Sequence, residues 1–163
     1  MITGASTGRG LATAKRFVEE GMDHVFITGR RKEVLDAAVA EIGRNTTGVR
    51  GDTANLSDLD RLYETVKKHN RKIDVIFANA GVARLAPFGT VDEKFFDLHF
   101  DANVKGLFFS VQKGLPFIND GGAIILNASI AAIKGFPAMS VYSATKADRH
   151  PSADYRCADL FDP

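Results

Sequence analysis

Tyr142 and Lys146 stand four residues apart in Tyr142-Ser143-Ala144-Thr145-Lys146, a spacing that puts both on one face of a helix. A tyrosine ordinarily loses its proton at about pH 10. A neighbouring ammonium favours the phenolate by charge attraction, which moves the pair toward acid–base work near neutral pH. Taken alone, the spacing also describes an exposed polar pair with no chemistry. The second candidate is the glycine-rich stretch Thr3-Gly4-Ala5-Ser6-Thr7-Gly8-Arg9-Gly10. Glycines there let the backbone turn sharply and let an anion approach a helix N-terminus, where N–H groups and the helix dipole attract it. The spacing is not the usual G-x-G-x-x-G, and by itself it fits a plain tight turn equally well. Two further segments could touch a nucleotide: Thr28-Gly29-Arg30-Arg31, with paired guanidinium groups, and Gly51-Asp52-Thr53, whose aspartate also suits an ordinary turn.

These residues need a scaffold that brings loops together, and the pattern supplies one. Strand-like and helix-like segments alternate from the first residue to about Lys146, the signature of a parallel sheet covered by helices on both faces. Met1, Ile2 and Thr3 read as the end of a first strand. A helix is predicted from about Gly10 to Glu20, with Leu11, Ala14, Phe17 and Val18 on one side and Gly21 closing it. A short strand at 24–28, a helix from Lys32 to about Ile42 and a strand around Gly48 to Arg50 come next. Ser57 is the expected cap of a helix from Asp58 to Lys68. Ile73 to Ala78 reads as a buried strand. A long helix from about Asp92 to Leu115, a Gly121-Gly122 turn, a strand from Ala123 to Asn127 and a final helix near Val141 complete the pattern.

Placed on these elements, the motifs follow a familiar order. Thr3-Gly4-x-x-x-Gly8-x-Gly10 lies after the first strand and Asn79-Ala80-Gly81 after the fourth. Asn103 lies in the long helix, Ser129 after the fifth strand, and Tyr142-x-x-x-Lys146 at the last helix. Ser129 precedes Tyr142 by thirteen positions (142 − 129). This arrangement resembles the short-chain dehydrogenase/reductase family over nearly all of residues 1 to 147. The resemblance implies an α/β Rossmann-type doubly wound parallel sheet and an NAD(P)-dependent oxidoreductase. Such an enzyme moves a hydride between the cofactor and a small alcohol or ketone. By that resemblance Tyr142 is the general acid/base, and Lys146 lowers its pKa and holds the nicotinamide ribose. Ser129 binds the substrate oxygen, and Asn103 binds a water in a relay to Lys146. Gly4, Ser6, Gly8 and Gly10 line the pyrophosphate, Asn79 and Gly81 support the sheet and the adenosine side, and Asp52 contacts adenine. An acid at the end of the second strand would select NAD, and an arginine would suit the extra phosphate of NADP. Arg30 and Arg31 stand there with no acid, which favours NADP over NAD. The bland reading is that both begin a solvated helix.

Three departures from the family pattern carry expectations. Arg9 occupies a place usually held by an apolar residue, from which it can snorkel outward, reach a phosphate or disturb packing. The first strand begins at its last few residues. After Ala147 the apolar stripe stops, Pro151 interrupts any helix, and 148–163 reads as an irregular, aberrant tail. The chain is thus expected to be an incomplete domain of about five strands, 1–147, truncated at both ends and with a bare apolar edge. An alternative function follows: an inactive fragment that at most binds a dinucleotide weakly. Full-length members of the family are usually homo-oligomers, an assembly not expected for a chain cut this way.

Composition narrows the partners. Lys and Arg number 21 against 20 Asp and Glu, so no nucleic-acid or anionic membrane surface is indicated. The basic run from Lys67 to Lys72 reads as a solvated helix end. Four scattered histidines give no ligand spacing, so no metal site is predicted. A single cysteine, Cys157, excludes a disulfide within the chain, and neither a signal peptide nor a membrane-spanning run is evident, so a cytoplasmic location is expected.

Overall fold

The computed structural model describes residues 1–69 and 72–147. The predicted tail, 148–163, lies outside the described residues, as do Asn70 and Arg71 of the basic run. In chain order the main elements are α1 (Gly8–Glu19), β1 (Val25–Gly29), α2 (Lys32–Ile42), β2 (Thr46–Arg50), α3 (Leu56–Lys68), β3 (Ile73–Ala78), α4 (Glu93–Phe100), α5 (Gly106–Gln112), β4 (Ile118–Leu126) and α6 (Ser140–Ala147).

The sheet is parallel throughout. β1 pairs with β2, and β3 pairs with β4. Residues 1–3 join the two pairs: Ile2 bridges to Ile27 on one side and to Phe77 on the other. The Ile2 N–H donates to Phe26 O (2.8 Å), the Thr28 N–H to Ile2 O (3.1 Å), the Thr3 N–H to Phe77 O (3.1 Å) and the Phe77 N–H to Met1 O (2.8 Å). The Met1 amine donates to Val75 O at 2.7 Å. The expected first strand is thus reduced to a bridge at Ile2, which stands between β1 and β3.

Alternation along each strand sends side chains to opposite faces. Ile2, Val25 and Ile27 pack with Ala14, Leu35, Ala38 and Ile42 of α1 and α2. Met1, Phe26 and Val49 pack on the other face with Leu59, Leu62, Tyr63 and Val66 of α3. Burying each such Leu or Val is worth about 1.5–3 kcal/mol, so the two apolar layers hold the loops at the strand ends in place. Lys67 and Lys68 sit in the last turn of α3, where cations meet the helix's negative pole.

Several expectations need correction. The cap of α3 is Asn55, whose side chain accepts from the Ser57 N–H at 3.1 Å; Ser57 is already inside the first turn. The long helix is not continuous: a π turn, Asp101–Lys105, separates α4 from α5. The extra residue of a π turn rotates the side chains that follow, and here Ala102 and Asn103 face inward. α5 starts at a glycine because a Cβ on Gly106 would lie 2.9 Å from the Thr53 carbonyl. β4 is longer than predicted, and its pairing with β3 shifts between Ile73 and Val75. Among the described residues no strand pairs with its outer side, and Ile125 and Leu126 are each 45% exposed.

Candidate active site

The site is assembled where the chain leaves the strands. After Thr3 it turns through Gly4 at φ +64°, and a Cβ there would lie 2.8 Å from the Ala80 Cα. Gly8, at φ +58°, opens α1, and a Cβ there would meet nothing within 4 Å. The space above the turn is thus open. Thr7 makes no side-chain cap bond and the first turn carries no acid, so the N-terminus of α1 keeps its attraction for an anion. Gly10 is buried, with no room for a Cβ beside the Gly4 carbonyl (2.6 Å) and Asn79 Nδ2 (2.7 Å).

Side chains lock this turn to the neighbouring strand ends. Thr3 Oγ1 accepts from the N–H groups of Asn79 (3.1 Å) and Ala80 (3.0 Å). Asn79 Nδ2 donates to the carbonyls of Thr3 (3.0 Å) and Gly4 (3.1 Å), and the Gly4 N–H donates to Thr28 Oγ1 (3.1 Å). These bonds satisfy backbone groups that would otherwise be left bare at the ends of a buried parallel sheet.

Around the turn lies a cleft of ≈ 430 Å³. Of the residues expected to bind a cofactor, Gly4, Ser6, Gly10, Arg30, Asp52, Asn79 and Gly81 line it; Gly8 does not. Arg9 and Arg31 also line it, leaving three arginines against the single acid Asp52. Arg9 is exposed while Gly10 and Ala14 bury the inner side of α1, so the arginine does not disturb packing. Asp52 has two local partners: Oδ1 accepts from the Ala54 N–H at 3.1 Å, a turn bond, and Oδ2 lies 3.7 Å from Arg30. Its own N–H donates to Asp58 Oδ2 at 2.8 Å, and that bond, chief among its causes, lowers the Asp58 carboxyl below the usual range.

The residues expected to be catalytic lie in the π turn before α5, after β4 and on α6. Asn103 is fully buried. Its Oδ1 accepts from the Val82 N–H (2.8 Å), and its Nδ2 donates to Val82 O (2.9 Å) and Thr145 Oγ1 (3.0 Å). It therefore ties the loop after Gly81 to α6, the helix of Tyr142 and Lys146. Lys146 is buried, its Nζ donates to the Asn127 carbonyl at 2.9 Å, and it lies 5.7 Å from the Tyr142 ring centroid. Ser129 Oγ accepts from the Ala131 N–H at 3.2 Å, and the short turn that follows, Ile130–Ala132, packs on α6. Ser129, Tyr142 and Lys146 are not part of the cleft lining.

The residue that joins the two groups was missed from sequence. Asn127 lines the cleft, donates through Nδ2 to Asn79 Oδ1 at 3.0 Å, and supplies the carbonyl that holds Lys146. A continuous path runs from Gly4 through Asn79 and Asn127 to Lys146. The available signal was a polar residue directly after the apolar run Ile124-Ile125-Leu126. Among the described residues no cluster of three potential metal ligands occurs, and no helix is long and apolar enough to cross a membrane.

A parallel sheet with helices on both faces and a glycine turn at its centre defines a doubly wound, Rossmann-type α/β fold. The family model described as short chain dehydrogenase matches residues 1–150, and the chain belongs to that family. It is 47% identical over 149 residues to oxidoreductase asL5 of Sarocladium schorii, covering 90% of this chain and 59% of the relative. It is 36% identical over 149 residues to a serine 3-dehydrogenase of Agrobacterium fabrum, again with 90% and 59% coverage. The chain thus spans about three-fifths of these curated relatives. Among solved structures, serine dehydrogenase from Escherichia coli superposes with TM-score 0.87 at 29% identity, covering 98% of this chain and 75% of that one. A 3-ketoacyl-(acyl-carrier-protein) reductase from Brucella melitensis, complexed with NADH, gives TM-score 0.83 at 30% identity, with coverage of 90% and 62%.

Proposed function

We propose that this chain is the dinucleotide-binding and proton-transferring part of an oxidoreductase that interconverts a small alcohol and its carbonyl compound, with NADP preferred over NAD. The observation that carries the reading is the hydrogen-bonded path from the glycine turn through Asn79 and Asn127 to Lys146. It ties a cleft rich in arginine to an acid–base pair. The cleft suits a dinucleotide: the open space at Gly8 and the N-terminus of α1 accommodate a pyrophosphate, and Arg30 and Arg31 suit a 2′-phosphate. Gly4, Ser6 and Gly10 would line the pyrophosphate, Asp52 would contact adenine, and Asn79 and Gly81 would support the sheet and the adenosine side.

A bound nicotinamide supplies the hydride donor or acceptor. The rest falls to side chains of this chain. Tyr142 gives a proton to, or takes one from, the substrate oxygen through its phenolic oxygen. Lys146, whose Nζ is held by the Asn127 carbonyl 5.7 Å from the Tyr142 ring centroid, would favour the phenolate when charged and would hold the nicotinamide ribose. Ser129 accepts one bond from the backbone, so its own O–H serves as donor to the substrate oxygen. Asn103 spends both amide hydrogens inside the protein, so a relay water there binds an acceptor oxygen of Asn103.

Fluorescence titration with NADPH and NADH tests the cofactor side, and tighter NADH binding would refute the NADP preference. Turnover of a panel of ketones and secondary alcohols tests the chemistry. Tyr142→Phe should abolish turnover with cofactor affinity nearly unchanged, whereas Lys146→Met should lose both activity and some affinity. A second reading, a dinucleotide-binding module without turnover, is favoured by one observation: the cleft lining omits Ser129, Tyr142 and Lys146. NADPH binding with no turnover of any substrate would select it. The cytoplasmic location remains part of this proposal, drawn from cysteine usage.

A further inference from the structure

The strand ends beside Arg30 carry another arginine with no role so far. β1 and β2 finish in register, Gly29 opposite Arg50. The Arg50 Nε donates to the Arg30 carbonyl at 3.2 Å, which fixes the base of its guanidinium next to the Arg30 backbone. A second cavity, ≈ 770 Å³, opens there, lined by Arg30, Arg50, Asp52, Asp58 and Arg61 among others. It adjoins the cofactor cleft, since Arg30, Gly51 and Asp52 line both.

The charges in this second cavity do not cancel. Arg61 pairs with Asp58 at 2.8 Å and also donates to the Arg50 carbonyl. Arg30 faces Asp52 at 3.7 Å, too long for a hydrogen bond. Arg50 has no acid within 4 Å among the described residues. Three guanidinium groups thus face two carboxylates, and Arg50, which adds to the field that lowers the Asp58 carboxyl, is held at Nε with its two terminal nitrogens spaced for a forked contact. Forked, charge-assisted bonds from arginine are the chemistry that recognises a phosphate, and an arginine already anchored loses less freedom on binding one.

We propose that Arg50 is a second 2′-phosphate ligand, acting with Arg30 as a clamp that extends the cofactor site into the neighbouring cavity. The inference rests on the NADP reading given above and assigns it a residue on a different strand. Arg61 holds Asp58, and Arg30 stands 3.7 Å from Asp52 with no hydrogen bond to it, so both Arg30 and Arg50 can offer guanidinium N–H groups to the phosphate.

Calorimetric titration of the full chain with adenosine 2′,5′-bisphosphate and, separately, adenosine 5′-monophosphate tests this without any need for turnover. The wild-type chain should bind the bisphosphate more tightly. Arg50→Gln should weaken the bisphosphate about tenfold, the scale of one lost charge-assisted contact, while the monophosphate stays within about twofold. Arg50→Lys, which keeps the charge but not the fork, should recover only part of the loss. Equal losses for both nucleotides in Arg50→Gln would mean that Arg50 merely holds the Arg30 loop and would overturn the clamp. An undiminished bisphosphate preference in that variant would overturn it too. A wild-type chain that does not distinguish the two nucleotides would instead overturn the NADP reading itself.

Discussion

Lengthening the chain ahead of Met1 tests how the centre of the sheet is held. In the 163-residue chain the α-amine of Met1 lies inside the fold and donates to Val75 O at 2.7 Å. Burial pushes this amine down from 8.0 to about 5, against the opposing pull of Asp74. The unfolded chain binds the proton below about pH 8, whereas the folded chain binds it only below about pH 5. Stability is therefore complete above pH 8 and falls as pH drops toward 5. Three pH units correspond to about 4 kcal/mol at the limit, of which about 3 kcal/mol is lost between pH 8 and 5. That is large beside the ~5–15 kcal/mol of an ordinary domain. A variant with two or three residues placed before Met1 presents a peptide N–H to Val75 O and no charge. Urea unfolding of both chains at pH 8, 7, 6 and 5 reads the difference, and the histidines common to both cancel in the comparison. The stability gap should grow from near zero to about 3 kcal/mol. Parallel profiles would refute the reasoning and show that the amine reaches water.

Three other perturbations follow from packing. Gly10→Ala places a methyl group 2.6 Å from the Gly4 carbonyl, and should cost about 1–3 kcal/mol in a thermal melt. It should also weaken NADPH binding. Asn103→Leu removes both partners of Val82 and should cost about 2 kcal/mol or more in urea, with unchanged stability showing that water replaces the amide. Ile125→Lys puts a charge on the outermost described strand and should raise the monomer fraction in size-exclusion chromatography; no change would place any association elsewhere.

The sequence made the strand–helix alternation legible because each element has its own apolar period: Leu35, Ala38 and Ile42 stack on one side of α2 as their spacing demands. The cleft residues were legible because the glycine turn, Asn79-Ala80-Gly81 and Tyr142-x-x-x-Lys146 follow one another in the family's order, which no one of them conveys alone. The π turn was not. Asp101 to Lys105 keeps a composition compatible with an ordinary helix, and its geometry is imposed by tertiary bonds from Asn103 to Val82 and Thr145. The cap of α3 was misplaced because Asn55 and Ser57 are both good cap residues and only the fold selects between them. Asn127 escaped notice because its importance lies in Asn79 and Lys146, which are 48 residues before it and 19 after it.

The position of Ile2 between Ile27 and Phe77 also has a consequence for synthesis. Residues 1–3 precede β1 to β4 in the chain, yet both halves of the sheet converge on them. At roughly 5–20 residues per second a ribosome needs roughly 4–15 s to pass from Ile2 to Phe77. During that interval β1 and β2 are already available, and Ile2 can pair on its Ile27 side. Its other side stays open in the nascent chain until β3 is made. The second half then docks on three residues, through the bonds linking Met1 and Thr3 to Phe77. The order of synthesis thus opens the Phe77 side of the seam to pairing only after β1 and β2 have emerged.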